Sequence, residues 1–158
     1  MSKQCKSTSI ALGSDNAGFS LKEEIKEFLK RKGWEVVDCG AFSADPSDYP
    51  DIAFLVAEKV ARGEVDKAVL VCGTGIGMCI AADKVEGIRC AVCTNETAAR
   101  YARTHNDANI LALGARIIGS ETAKNIVNVF LTTPFSQEER HIRRIKKIED
   151  YEKRRKRE

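Results

Sequence analysis

Short apolar runs alternate with amphipathic segments along the chain. The apolar runs predict strands at Ser9–Gly13, Glu35–Asp38, Ala68–Cys72, Ile88–Cys93 and Asn109–Leu113. Between the strands, apolar residues recur every three or four positions, as on one face of a helix. Five strand–helix units with short connections predict an α/β protein, a three-layer α/β/α sandwich around a five-stranded parallel sheet of the Rossmann-like kind.

The predicted helices carry start and stop signals. Ser20 and Glu23 have the spacing of a capping box, and Gly33 is placed to end the same helix. Further helices are predicted at Asp51–Ala61, Met78–Lys84, Glu96–Thr104 and Glu121–Leu131. One longer loop, Ala41–Pro50, is expected near the edge of the sheet where ligands bind.

A last helix is predicted near the C-terminus, where Ser136 and Glu139 form a second capping box. Every third residue of the next stretch is isoleucine: Ile142, Ile145 and Ile148. This stripe could pack on its own domain or belong to a solvated face. We favour packing across a dimer, because the sheet already has its helices. Residues 136–158 are therefore predicted to form a C-terminal helix that contacts the dimer partner, with a basic tail.

Length and composition are those of one soluble domain spanning residues 1–158. Apolar residues make up 43% of the chain and charged residues 31%, which is ordinary for a globular protein. No apolar run approaches the ~20 residues that cross a bilayer. The polar N-terminus lacks the apolar core of a signal peptide. We expect a cytoplasmic protein with no membrane partner.

The net charge is +3, and it resides in the C-terminal segment. Residues 136–158 hold ten Lys or Arg against six Asp or Glu, and the rest of the chain is slightly acidic. A basic tail could bind nucleic acid. The regular isoleucine spacing and the absence of interleaved aromatic residues argue against this, so no nucleic-acid partner is expected.

A metal site is not expected either. Cys90 and Cys93 form a C-x-x-C, but residues three apart in a strand face opposite sides of a sheet. The chain has only two histidines. A nucleotide cofactor is also not expected, because the glycine-rich loop lacks the Gly-Lys-Ser/Thr of a P-loop. We expect no cofactor.

The richest stretch for chemistry is Cys72–Gly77, a cysteine followed by Gly-Thr-Gly-Ile-Gly. A strand, a glycine loop and a helix start together aim several backbone N–H groups at one place, which suits an anion or an oxyanion. A thiol beside such a site ionises more readily than a free cysteine. The alternative is that Cys72 is a small buried apolar side chain.

Ligands of open α/β sheets bind at the carboxyl ends of the strands. That edge should bring Asp15 and Cys72 into one crevice. Asp15 could instead cap the first helix, and His105 could close a helix at the surface. The Arg140–Arg144 cluster could be solvated, but paired guanidinium groups also suit a phosphate.

The chain resembles the ribose-5-phosphate isomerase B family, which includes allose- and galactose-phosphate isomerases. The matching motifs occur in family order over nearly the whole chain: Gly13-Ser-Asp-Asn-Ala-Gly-Phe19, Asp48-Tyr-Pro-Asp51, Cys72-Gly-Thr-Gly-Ile-Gly77, Ala81-Ala-Asp-Lys84, His105-Asn-Asp-Ala-Asn109, Gly114-Ala-Arg116 and Arg140-His-Ile-Arg-Arg144. The resemblance implies metal-free interconversion of D-ribose 5-phosphate and D-ribulose 5-phosphate in the non-oxidative pentose phosphate pathway. It also implies a homodimer, with a tetramer as the alternative, and active sites at the subunit interface.

The resemblance also implies roles for individual residues. Cys72 would be the base that moves the proton between C1 and C2, Thr74 its helper, and His105 the acid/base that opens the sugar ring. The remaining substrate contacts would be Asp15, Asn16, Tyr49, Gly73, Gly75, Gly77 and Asn106. The phosphate ligands would be Arg116, Arg140, His141 and Arg144, some of them from the partner chain.

Two positions decide the subtype and leave the substrate open. Members that lack the loop cysteine place a glutamate base where this chain has Met78, so the resemblance is to the cysteine-dependent subtype. Asn16 stands where the family usually has histidine, and asparagine carries no charge for a phosphate. A six-carbon phosphosugar therefore remains an alternative substrate. A non-catalytic nucleotide- or RNA-binding module is the rival from another class.

Overall fold

The computed structural model describes residues 8–157, within which it has five strands and six helices. The strands are β1 (Ser9–Ser14), β2 (Glu35–Asp38), β3 (Lys67–Cys72), β4 (Cys90–Val92) and β5 (Ile110–Gly114). The helices are α1 (Phe19–Arg31), α2 (Tyr49–Ala61), α3 (Ile76–Ala82), α4 (Glu96–Thr104), α5 (Ser120–Thr132) and α6 (Glu139–Arg155). Most of the N-terminal segment used to argue against a signal peptide lies outside the described residues.

The strands form one sheet in the order β2-β1-β3-β5-β4, and every neighbouring pair is parallel. The chain leaves β1 toward β2 on one side and returns to β3 on the other. The carboxyl ends of β1 and β3 therefore border the crevice expected at such a reversal. The predicted three-layer α/β/α class is confirmed.

Two apolar cores cover the two faces of the sheet. The first packs α1, α4 and α5 against it, and the second packs α2 and α3. Cys93 is buried in the first core, whereas Cys90 packs against the second. The two thiols of this C-x-x-C therefore lie on opposite sides of the sheet, as predicted from the strand geometry.

The start of α1 differs from the prediction. Its first residue follows Gly18, no side chain caps it, and Ser20 lies inside the helix, so the first capping box is wrong. A Cβ atom on Gly18 would lie 2.3 Å from the carbonyl oxygen of Val71. This close approach to β3 leaves no room for a side chain at position 18. Gly33, with φ +85°, ends it as predicted.

The second capping box is wrong as well, because α6 has no side-chain cap. The Ser136 hydroxyl lies 2.8 Å from Nδ1 of His141. Helix α6 lies on its own chain through the buried Ile145, while Ile142 and Ile148 stay exposed. One of the three isoleucines is thus buried within its own chain.

No helix among the described residues is both long enough and apolar enough to cross a membrane.

Candidate active site

A crevice of about 520 Å³ opens at the carboxyl edge of the sheet. Its walls come from the ends of β1 and β3, from the first residue of α2 and from the loop after β5. The lining residues are Asp15, Asn16, Ala17, Tyr49, Cys72, Gly73, Thr74, Ile76, Gly77, Ile80 and Arg116. Eight of the predicted site residues therefore meet in one place within a single chain.

Cys72 is the last residue of β3, and its side chain is only 4% exposed. The backbone N–H of Gly75 donates a hydrogen bond to its sulfur at 3.1 Å. Gly75 has φ +80°, a conformation that brings this amide back over the strand end and that other residues adopt only with strain. This hydrogen bond holds the sulfur at the mouth of the glycine loop.

Gly73 makes room for Arg116. A Cβ on Gly73 would lie 3.3 Å from Nη1 of the Arg116 guanidinium. The backbone also joins the two loops, because Arg116 N–H donates to Gly73 O at 2.9 Å. The guanidinium is thereby held beside the thiol loop. Thr74 completes the loop by accepting the N–H of Ile76 on its hydroxyl at 3.3 Å.

Gly77, in the first turn of α3, makes room for Tyr49 in the same way. A Cβ there would lie 2.6 Å from Cζ of the phenol ring. The Tyr49 ring therefore rests directly on the helix backbone and forms one side of the crevice. The N–H groups of this first turn have no acceptor within the helix. That of Ile76 is bonded to the Thr74 hydroxyl, which leaves that of Gly77 as a donor for an oxyanion.

Asp15 and Asn16 both make local contacts at the end of β1. One carboxylate oxygen of Asp15 accepts the N–H of Gly18, the residue before α1, at 2.9 Å. No side chain caps α1 itself, so the helix-capping alternative for Asp15 is not supported. The amide oxygen of Asn16 accepts the N–H of Ser47 at 3.4 Å, which ties the crevice to the predicted loop. Each side chain also lines the crevice.

Gly75 belongs to the same site through its bond to Cys72. The other five predicted residues form a second cluster, which we call the histidine cluster: His105, Asn106, Arg140, His141 and Arg144. The His105 ring lies between Tyr101 and His141, with ring centroids 4.6 and 4.4 Å away. His141 is 3% exposed. Desolvation and the neighbouring His105 lower the pKa of His141, which favours its neutral form.

The histidine cluster lies at the other edge of the sheet. Helix α4 starts after the carboxyl end of β4 and ends before the amino end of β5, so His105 lies at the amino edge. Cys72 pairs with Gly114, at the carboxyl end of β5. Strand β5 alone spans about 13 Å at 3.3 Å per residue. One chain therefore does not bring Cys72 and His105 together.

Sequence reasoning missed one buried charge beside the crevice. Lys22 is fully buried in α1, and its ammonium donates to Asp38 at 2.8 Å and to the carbonyl of Ala41 at 2.6 Å. Ala41 N–H in turn donates to Ser14 O at 2.7 Å, next to Asp15. No sequence signal marked this residue, because a lysine on an amphipathic helix is normally a surface residue.

Comparison with known proteins places this geometry in a family. The family model described as Ribose/Galactose Isomerase matches residues 10–148. This chain belongs to the ribose/galactose isomerase family. Ribose-5-phosphate isomerase B of Escherichia coli (strain K12) is 47% identical over 146 residues, covering 92% of this chain and 97% of that protein.

Solved structures of the ribose/galactose isomerase family agree with the fold. Ribose-5-phosphate isomerase B of Clostridium thermocellum superposes with a TM-score of 0.91 at 50% identity, covering 93% of this chain and 99% of that one. The Mycoplasma genitalium enzyme, solved with bound ribulose 5-phosphate, gives 0.87 at 44% identity, with 93% and 97% covered. The rival hypothesis of a non-catalytic nucleotide- or RNA-binding module does not fit this family.

Proposed function

We propose that this protein is a single-domain enzyme that interconverts D-ribose 5-phosphate and D-ribulose 5-phosphate through an enediolate. The observation that carries the proposal is the Cys72 thiol, which ends a strand inside the crevice and accepts the Gly75 N–H. Aldose–ketose isomerisation needs one base next to the carbonyl and a stabiliser for the enediolate. The thiol and the loop amides provide both.

In this mechanism Cys72 takes the proton from C2 of the aldose and returns it to C1. Thr74 lies beside it in the loop and assists the transfer. The N–H groups of Gly73, Gly75 and Gly77 surround the place where the enediolate oxygen gains charge. Asp15, Asn16 and Tyr49 line the same crevice and orient the sugar hydroxyl groups. A proton shuttle of this kind needs neither a cofactor nor a metal.

Ring opening requires a second copy of the chain. Ribose 5-phosphate is mostly a closed ring, and the imidazole that would open it, His105, lies at the opposite sheet edge of its own chain. In a homodimer the histidine cluster of one chain would face the crevice of the other. His105 would then move the ring proton, and Asn106 would hold a sugar hydroxyl.

The phosphate would be bound from both chains. Arg116 already lies in the crevice, and Arg140 and Arg144 would come from the partner. His141 is buried, and its lowered pKa favours the neutral form. It would therefore contribute to the phosphate site through a hydrogen bond and through its contact with the His105 ring. A doubly charged sugar phosphate does not cross a bilayer unaided, so we place the enzyme in the cytoplasm.

A direct assay tests this function. Purified protein should isomerise ribose 5-phosphate with a kcat/KM well above that for allose 6-phosphate, the six-carbon alternative left open by Asn16. The Cys72→Ala variant controls for a contaminating isomerase. A preference for allose 6-phosphate would contradict the proposed substrate, and turnover of neither sugar would contradict the proposed reaction.

A further inference from the structure

The turn between α4 and β5, residues 105–108, is held by a guanidinium group from outside it. Arg89, just before β4, donates from Nε to the carbonyl of Asn106 at 2.9 Å. Its Nη2 donates to the carbonyl of Asp107 at 3.1 Å. Two successive carbonyls of the turn are therefore bound by one planar fork, a geometry that lysine cannot reproduce.

The backbone of this turn needs such support. Asp107 has φ +44°, a left-handed conformation in which a residue other than glycine is uncommon. Its carboxylate lies between two arginines, 2.8 Å from Arg103 Nη1 and 3.6 Å from Arg89 Nη2. Arg103 also donates to the carbonyl of Ala108 at 2.6 Å. The two side chains together hold the turn in its left-handed shape.

The same guanidinium of Arg89 reaches α6. Its Nη1 lies 3.2 Å from the carboxylate of Glu149, which follows Arg140, His141 and Arg144 in the same helix. Arg89 therefore connects the turn carrying His105 and Asn106 to the helix that carries the arginines of the histidine cluster.

Arg103 has a different setting. It lies over the ring of Phe130 at 5.8 Å and also donates to the carbonyl of Thr133 at 3.1 Å. Removing it would disturb the core as well as the turn. Arg89 lies at the rim of a surface groove, so its substitution should disturb the turn without disturbing the core.

We propose that Arg89 is a positioning residue for ring opening: it fixes the 105–108 turn so that His105 and Asn106 meet the closed sugar in the partner's crevice. This rests on the proposed function. Arg89 touches no residue of the crevice, so its loss should affect ring opening more than proton transfer at Cys72.

The test compares two substrates. Ribose 5-phosphate must be opened, whereas 4-deoxyribose 5-phosphate lacks the hydroxyl that closes the ring. In Arg89→Gln, kcat/KM for ribose 5-phosphate should fall about 10- to 100-fold, as expected for a misplaced catalytic group. The value of kcat/KM for the open-chain analogue should fall less than about threefold. Arg62→Gln is the matched control, because Arg62 is exposed and pairs only with Glu58 and Glu64; it should leave both values unchanged.

A second variant keeps the test valid if Arg89→Gln does not fold. Arg89→Lys retains the charge beside Asp107 and Glu149 but loses the fork, so it should show the same selectivity with a smaller loss. Equal loss on both substrates, or a folded Arg89→Lys with wild-type rates on both, overturns the proposal.

Nuclear magnetic resonance gives a readout that does not depend on activity. The chain has two histidines, so only two sets of imidazole signals are present. Both signals should move in Arg89→Gln and stay in place in Arg62→Gln, because the two rings are in contact, with centroids 4.4 Å apart. Unmoved signals would overturn the positioning role. Failure of the wild type to turn over ribose 5-phosphate would contradict the proposed function instead, and this spectroscopic comparison would still stand.

Discussion

The backbone N–H of Gly75 donates to the sulfur of Cys72 at 3.1 Å. The glycine loop that can bind an oxyanion therefore also holds the sulfur in place. In the proposed mechanism the base and the enediolate site are parts of one turn, and substrate binding and proton abstraction depend on the same few backbone groups.

We expect Cys72→Ala to lower kcat about 10²- to 10⁴-fold, the usual effect of losing a general base, and to leave the fold intact. The measurement is steady-state turnover of ribose 5-phosphate together with a thermal unfolding curve. Cys93→Ala is the control, because Cys93 is buried in the core on the other side of the sheet, where desolvation raises its pKa to about 11. Near-native turnover by Cys72→Ala would mean that another group is the base.

Gly77→Ala tests whether substrate binding needs the Tyr49 ring packed on the backbone of α3. The added methyl group would meet the ring at 2.6 Å, so the ring must leave its place and narrow the crevice. KM for the sugar should rise about tenfold, equivalent to ~1.4 kcal/mol of binding. The double variant with Tyr49→Ala should be no worse than Tyr49→Ala alone, since the contact is already gone. Additive losses would show that Gly77 acts independently of Tyr49.

Phosphate binding should depend on guanidinium geometry and on charge at position 16. Arg144→Lys keeps the charge but loses the bidentate fork, so KM for ribose 5-phosphate should rise about tenfold.

Asn16→His should tighten inhibition by inorganic phosphate at pH 6 more than at pH 8, because only the imidazolium adds positive charge. Inhibition constants for Asn16→His that match the wild type at both pH values would remove position 16 from the phosphate site.

Burial of His141 predicts a dependence of stability on pH. Its pKa is lowered in the folded state, chiefly by desolvation and then by His105, so the unfolded chain binds more protons than the folded one. This contribution is complete above the unfolded pKa of about 6.5 and is lost as the pH falls below it. The melting temperature should therefore drop between pH 7.5 and 5.5, and less steeply in His141→Gln. Parallel curves would contradict the neutral, buried state of His141.

The two exposed isoleucines of the stripe, Ile142 and Ile148, should belong to the dimer contact. Ile148 is 55% exposed, so Ile148→Glu should leave a single chain stable but weaken the dimer. Activity should fall with it if, as proposed, each site needs two chains. Light scattering and turnover over a range of concentrations measure both. Lys147→Gln, at an exposed neighbouring position, is the control, because it also lowers the charge by one unit. A full-length protein that is monomeric and fully active would contradict the shared site.

Local signals were enough to predict the elements of the fold. The five strands and the α4 boundaries, Glu96–Thr104, follow from apolar runs and periodicity, since burial of one face requires that pattern whatever the neighbours are. The Cys72–Gly77 loop was predictable for the same reason, because a strand, a glycine turn and a helix start are contiguous in the chain.

Contacts between distant segments set the features that no local pattern carried. Position 18, just before α1, has room only for glycine because it passes close to the carbonyl of Val71, more than fifty residues later. The sequence around Lys22 is that of a surface lysine, but the turn after β2 buries it, and Ala41 O accepts a hydrogen bond from its ammonium group. Cys72 and His105 belong to one set of family motifs, yet they lie at opposite edges of the sheet. Parallel strands joined by returning helices place the start and the end of each helix at opposite edges, so spacing along the chain cannot tell which residues share a site.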